Sequence, residues 1–299
     1  DYKLLLIMLY QIQKTQEAFE EATPKESILS LTEVEQVFED MMLAKMPEVE
    51  ISHDCIANEN PDYKTLNFTT YAGCFIMHPL NHHLAQQQVV DALGEPNQKV
   101  ADRFKDYFID KITNTNANKY IQVKDKPTEY VDELIVLPGS DKLKKYVCFL
   151  KLKALRERVT SLGIKPHPLT NEGDYKEQCM FFPDHVNYKG STDLYDVLKK
   201  ADTIHTTHLS ESALYAAVLH KNVGNIDSYW KRPECSFWHL NSLIFGRPKE
   251  TADVNILRAI SNYKSGVIQP LVDNNWVDKL EKYIDYIKEV KELYVGRYV

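Results

Sequence analysis

Apolar positions recur with two rhythms along this chain, and the change falls near residue 132. Over the first 50 residues the spacing is helical. Leu4, Leu5, Met8 and Ile12 share one face, and Leu29, Leu31, Val34, Val37, Phe38, Met41 and Met42 form a second series in steps of three and four. Thr32 followed by Glu35 reads as a capping box. Residues 74–77 (Cys-Phe-Ile-Met) predict a short buried strand, residues 85–93 the helix after it, and Gly94-Glu95-Pro96-Asn97 its stop. A second helix is predicted over 100–112, followed by a polar loop over 113–119.

From residue 132 short apolar runs alternate with amphipathic ones. The strand predicted over 133–137 ends in Pro138-Gly139-Ser140. The helix predicted over 141–158 has Leu143, Val147, Leu150, Leu152 and Leu155 on its apolar side. A strand over 159–164 ends in Lys165-Pro166-His167-Pro168, and residues 179–182 read as a third short strand. A helix over 194–200, a strand over 202–206, a helix over 210–220 and a strand over 222–226 follow. A terminal helix over 276–293 aligns Leu280, Tyr283, Ile287 and Val290. Strands alternating with helices of this size imply βαβ units and a parallel sheet. The composition shift places a domain boundary within 124–132.

Composition narrows the class. The 299 residues are 43% hydrophobic and 26% charged, with 10 Gly and 13 Pro, so the chain can build packed cores and is not of disordered type. No apolar stretch approaches the roughly 20 residues of a membrane span, and the first residues, opening on Asp1, carry no signal-peptide pattern and read as a trimmed N-terminus. Five cysteines without CxxC spacing point to a reducing, cytoplasmic setting. The charge is uneven: residues 1–132 carry 12 Lys and Arg against 22 Asp and Glu, leaving 24 against 21 in the rest. A mildly basic second half fits a phosphate-containing ligand, although two ordinary solvated surfaces would look the same. There is no strongly basic footprint for nucleic acid.

In an open parallel sheet, ligands bind beyond the carboxyl ends of the strands. Three polar turns fall there: Pro138-Gly139-Ser140, Lys165-Pro166-His167-Pro168, and residues 206–212, Thr-Thr-His-Leu-Ser-Glu-Ser. The third runs into a helix whose expected N-cap is Ser210. The amides of Glu211 and Ser212 and both serine hydroxyls are donors there for an anion, or simply a cap without a ligand. His167 is presented rigidly between two prolines.

Leu137-Pro138-Gly139-Ser140, Ile164-Lys165-Pro166-His167-Pro168 and the stretch 201–221 together resemble the nucleotide-binding half of GT-B glycosyltransferases. The likeness is to bacterial sialyltransferases, capsule polysaccharide transferases and glycerophosphate transferases, over residues 133–225. The resemblance implies an α/β, GT-B-like fold of two Rossmann-like domains facing a cleft, the N-terminal one helix-rich and reduced. On that reading residues 1–130 are the acceptor side, 131–270 bind the donor, and the helix in 271–299 packs across both. It implies a metal-independent glycosyltransferase moving a sugar from a CMP- or UDP-linked donor to an acceptor hydroxyl, with no resident cofactor. His167, Ser210 and Ser212 would hold the donor phosphates, Gly139 and Ser140 would lie close to the donor, and Lys165, Pro168, Thr207 and Glu211 complete the donor set. Ser210-Glu211-Ser212 stands where the sialyltransferases have adjacent serines, and Glu211 is a candidate for ribose hydroxyls.

A general base for the acceptor is sought in the first domain. Candidates are His53 and Asp54 in a polar turn, and His78, His82 and His83 after the strand at 74–77. The acceptor is a glycan or, as in phage enzymes sharing the fold, a hydroxymethylated DNA base. A non-catalytic nucleotide-sugar-binding module and an epimerase are the readings from other classes. Metal signatures are weak: His82 and His83 are adjacent, His205 and His208 lie on a strand and turn, and HExxH, GxSxG, GxGxxG and P-loop patterns are missing from the sequence. The basic run from Lys142 to Arg158 reads as a solvated helix face. Tyr229, Trp230, Phe237 and Trp238 read as core packing before base or sugar stacking.

Overall fold

The computed structural model describes residues 25–53, 65–71, 74–94, 98–114, 122, 129–228, 237–270 and 273–298. Two sheets organise it. The first, in the order β1-β2-β3-β9, joins β1 (Glu50–His53), β2 (Thr65–Tyr71) and β3 (Cys74–Pro79) to β9 (Val267–Ile268). The second, in the order β6-β5-β4-β7-β8, holds β4 (Val131–Val136), β5 (Leu162–Lys165), β6 (Val186–Asn187), β7 (Ala201–Thr206) and β8 (Asn222–Asn225), every pairing parallel. The chain is mixed α/β, and its expected parallel sheet is present.

The path through the second sheet positions the site. From β4 the chain moves outward to β5 and β6, then returns to the other side of β4 for β7 and β8. Successive connections diverge between β4 and β7, the point beyond whose carboxyl ends ligands bind in open α/β sheets.

Among the described residues, three buried apolar clusters hold these layers. One runs from Cys74 and Ile76 on the first sheet, through α2 (His82–Leu93) and α3 (Gln98–Asn114), to Leu134 and Ile204 on the second. Another places Val34, Phe38 and Met42 of α1 (Lys25–Lys45) and Leu280, Tyr283, Ile284 and Ile287 of the terminal helix (Trp276–Tyr298) against Phe75 and Met77. The third covers the opposite face of the second sheet, where Ile135 and Ile164 meet Leu152, Leu155 and Phe182. Strand β9 pairs with β3, so residues 267 and 268 are part of the first sheet.

Four local readings change. Helix α1 already runs from Lys25, which puts Thr32 inside it and not at a cap. The helix expected over 141–158 is two helices, α4 (Ser140–Tyr146) and α5 (Phe149–Arg158). Val147 and Cys148 take extended backbone between them because that segment pairs with the chain after β8: Val147 bridges Asp227, the Cys148 amide donates to the Ile226 carbonyl at 2.8 Å, and the Ser228 amide donates to Tyr146 at 2.9 Å. Residues 179–182 are not a strand but the end of α6 (Glu172–Phe181), and the outer strand is β6 instead. The helix after β7 starts two residues later than expected, at Ser212, and spans seven residues, Ser212–Val218. Asn171 begins α6, its Oδ1 accepting the Asp174 amide at 2.8 Å, with Glu172 and Asp174 in the first turn. Asn171→Ala should therefore destabilise the protein by about 1 kcal/mol in chemical denaturation; an unchanged midpoint would show that the cap contributes nothing. The faces expected at Leu4 to Ile12, with Asp54, Tyr229 and Trp230, lie outside the described residues.

Candidate functional site

The turns after β4 and β5 meet. A Cβ built on Gly139 would lie 3.6 Å from Nδ1 of His167, so the imidazole rests against a backbone with no side chain in the way. Ser140 Oγ accepts the Asn171 amide at 3.0 Å, tying the two turns a second time. His167 is half-buried. Its Nδ1 accepts the Leu169 amide at 3.1 Å, so in the neutral ring the proton is on Nε2.

Lys165 is placed differently from its neighbours. Its ammonium group is turned inward, the residue is 1% exposed, and Nζ donates to the carbonyls of Pro166 at 2.9 Å and Gly190 at 2.8 Å. Burial lowers its pKa to about 7, while Asp193 acts the other way. As placed, this lysine braces the turn that carries His167 and Pro168 from within.

Across the switch point, the turn after β7 holds a chain of hydroxyls. Thr206 Oγ1 donates to the Val136 carbonyl at 3.2 Å and lies 3.1 Å from Ser212 Oγ, which lies 2.5 Å from Ser210 Oγ. Ser210 Oγ also accepts the Ser212 amide at 3.2 Å. The first helical amide is thus already satisfied, and an anion bound here would have to displace the Ser210 oxygen. Thr207 is fully buried, and its Oγ1 makes no hydrogen bond among the described residues. Glu211 is half-buried on the side toward β3, where its charge adds to the burial that pushes the Cys74 thiol up to about 12.

Residues 208 and 227 form a pair that the sequence reading passed over. Register places Thr206 opposite Asn225, so the segments leaving β7 and β8 run side by side. His208 Nδ1 hydrogen-bonds the Asp227 carboxylate, and the same Oδ2 accepts the His208 amide at 2.8 Å and Asn225 Nδ2 at 2.8 Å. Asn225 Oδ1 in turn accepts Lys151 Nζ at 3.0 Å and the Asp227 amide at 3.0 Å. The Phe245 ring lies 4.2 Å from the His208 ring, and Asn241 Nδ2 donates to the His208 carbonyl at 2.7 Å. His208 and Asp227 are nineteen positions apart in sequence, and the strand pairing brings them together.

The other histidine candidates sit on β1, β3 and α2. His53, at the end of β1, sits between Glu35 and Glu39 of α1, with ring nitrogens 3.2 and 4.0 Å from their carboxylates. These three are the group among the described residues whose spacing would suit a metal ion. His78 is fully buried, with Nε2 3.0 Å from Asn67 Nδ2 and Nδ1 3.0 Å from the Pro79 carbonyl. His82 packs on Trp238 at 4.6 Å, and His83 is exposed. His239 faces His78 at 4.9 Å, and burial, reinforced by His78 and His82, holds its pKa well below the usual value. The structure therefore joins Gly139, Ser140, His167 and Pro168 at one turn pair and Thr207, Ser210, Glu211 and Ser212 at another. It sets both His78 and His82 close to His239, while His53 is held between Glu35 and Glu39.

No helix among the described residues is long and apolar enough to cross a membrane. No family model and no curated protein matches the sequence. Among solved structures, the chain is similar to Thermosulfurimonas dismutans KpsC, titled a beta Kdo 2,4 transferase. Identity is 11% over 73% of this chain and 79% of that one, with a TM-score of 0.41. A likeness at that level assigns the chain to no family.

Proposed function

We propose that the chain is a glycosyltransferase that moves a sugar from a nucleotide-activated donor to a hydroxyl of an acceptor glycan. The observation that carries this is the reversal between β4 and β7, after which the Gly139 turn and the Ser210 turn follow neighbouring parallel strands at the same end of the sheet. His167 approaches from the turn after β5, with Gly139 leaving room beside it. The resemblance of these three turns to glycosyltransferase donor motifs supports a nucleotide sugar as the ligand.

Chemically, the leaving phosphate would gain negative charge as the sugar departs. His167 Nε2–H, the Ser140 hydroxyl and the Ser210 and Ser212 donors are the groups at hand to stabilise it, in a setting fixed before the reaction begins. Binding would open the Ser210–Ser212 contact, with a phosphate oxygen taking the place of Ser210 on the Ser212 amide. Residues 1–130 would then supply the acceptor side, with the donor side in 131–270.

Thermal unfolding with CMP, CDP, UDP and GDP tests this reading. One nucleotide at a hundred times its Kd should stabilise the protein by about 2.7 kcal/mol, a shift of several degrees. His167→Ala should remove that shift. His167→Asn can still accept the Leu169 amide, and so separates lost binding from lost folding. If none of the four nucleotides moves the transition, or if both variants keep the shift, the reading is wrong.

A further inference from the structure

We propose that His208 and Asp227 form a second reactive centre, a carboxylate-oriented imidazole that takes the proton from the attacking hydroxyl. Nδ1 of His208 meets two groups, the Asp227 carboxylate, which can only accept, and Asn225 Nδ2 at 2.7 Å, which can only donate. The carboxylate is the stronger partner, so the hydrogen is assigned to Nδ1, facing Asp227. The lone pair is then on Nε2, at the opposite edge of the ring. Nε2 makes no hydrogen bond among the described residues, and the side chain is 23% exposed.

The arrangement is built for one orientation. Asp227 Oδ2 collects the His208 amide, the His208 ring and Asn225 Nδ2. The Asn225 amide cannot flip without losing Lys151 and the Asp227 amide from its Oδ1. Phe245 packs on the ring, and Asn241 fixes the loop through the His208 carbonyl. The break between α4 and α5 pairs with residues 226–228 and so fixes the backbone that presents Asp227. A histidine needed only for packing requires neither a carboxylate on one nitrogen nor an unbonded second nitrogen.

His208 lies two residues before Ser210, at the same end of the sheet as the proposed donor phosphate. The acceptor O–H proton passes to Nε2, and the oxygen forms its bond to the anomeric carbon as the carbon–oxygen bond to phosphate breaks. The phosphate leaves with that electron pair, and the imidazolium, stabilised by Asp227, returns its proton to water. This role rests on the sugar-transfer reading; the proton arrangement of the pair does not. Asp227 acts through His208 as a positioning residue.

Two measurements decide the matter. Nitrogen-15 NMR of the histidine rings should show His208 protonated on Nδ1 and bare on Nε2. In Asp227→Asn the amide can donate to Nδ1, and the proton should move to Nε2. Acylation of His208 by diethyl pyrocarbonate should slow about tenfold in that variant, with exposed His83 unchanged as the internal control. A ring already protonated on Nε2 in the wild type, or an acylation rate unaffected by Asp227→Asn, overturns the proposal.

With a donor that the wild-type protein turns over, His208→Ala should cut transfer at least a hundredfold at unchanged donor Kd, with partial rescue by added imidazole. Transfer that survives His208→Ala overturns the catalytic role. If the wild-type protein binds no donor, the sugar-transfer reading has failed instead, and the pair is judged on the ring nitrogens and acylation alone.

Discussion

Gly266→Ala is expected to cost roughly 4 kcal/mol or more, and to leave little folded protein at 37 °C. Two independent effects combine at this position. The residue follows a 3-10 turn (Tyr263–Ser265) with φ +70°, a left-handed conformation that costs an alanine about 1 kcal/mol. An added Cβ would also sit 2.1 Å from the Met77 carbonyl oxygen and 2.8 Å from Gln88 Nε2, so strand β3 or the turn must move. The contact is part of a buried polar knot. Gln88 Nε2 donates to Met77 at 3.0 Å and to Ser265 at 2.5 Å, while the Tyr283 hydroxyl lies 2.9 Å from the Met77 carbonyl and 3.0 Å from Gln88 Oε1. Displacing the turn leaves several of these groups unpaired at once. Equilibrium denaturation measures the loss; a cost near 1 kcal/mol would mean that the turn adapts freely.

That knot also marks the limit of what could be read from the sequence. The alternation from β4 to β8 was legible because each strand there is a short apolar run bounded by a turn. The first sheet was mostly hidden. In β2 the buried positions include Thr65, Asn67 and Thr69, so polarity no longer reports exposure, and β9 is two residues long. Helix α6 was misread because Cys179 to Phe182 is locally apolar, although Asn171 with Asp174 three residues on was a start signal within reach. The break at Val147 could not be read locally, since the partner that forces it is Asp227. The candidate site divides along the same line. Turns that follow strands were found one by one. The pairing of His208 with Asp227 depends on the β7–β8 register, and the inward turn of Lys165 depends on Gly190, 25 residues away.

Lys165 leads to the other large expected effect, a stability that rises with pH. Burial brings its folded-state pKa down to about 7, from 10.5 for a free lysine. Below pH 7 both folded and unfolded chains hold this proton, and the folded state bears the full cost of a buried charge. Between about 7 and 10.5 the unfolded chain binds one proton more than the folded one, so unfolding free energy increases with pH. At 1.36 kcal/mol per pH unit, the gain from pH 6.5 to 9 is about 2–3 kcal/mol. The neutral amine keeps two hydrogens, enough for the carbonyls of Pro166 and Gly190, so the turn bearing His167 stays braced after deprotonation. Lys279 is half-buried, its Nζ donating to the Ile260 carbonyl at 2.7 Å; burial lowers its pKa to about 8, and it adds a smaller rise of the same sign above pH 8. Urea unfolding at pH 6.5, 7.5, 8.5 and 9 should trace this slope in the wild type. Lys165→Met should flatten it between pH 7 and 8, whatever that variant's absolute stability. A slope in Lys165→Met equal to the wild type would place the charge elsewhere and show that Lys165 keeps its proton throughout.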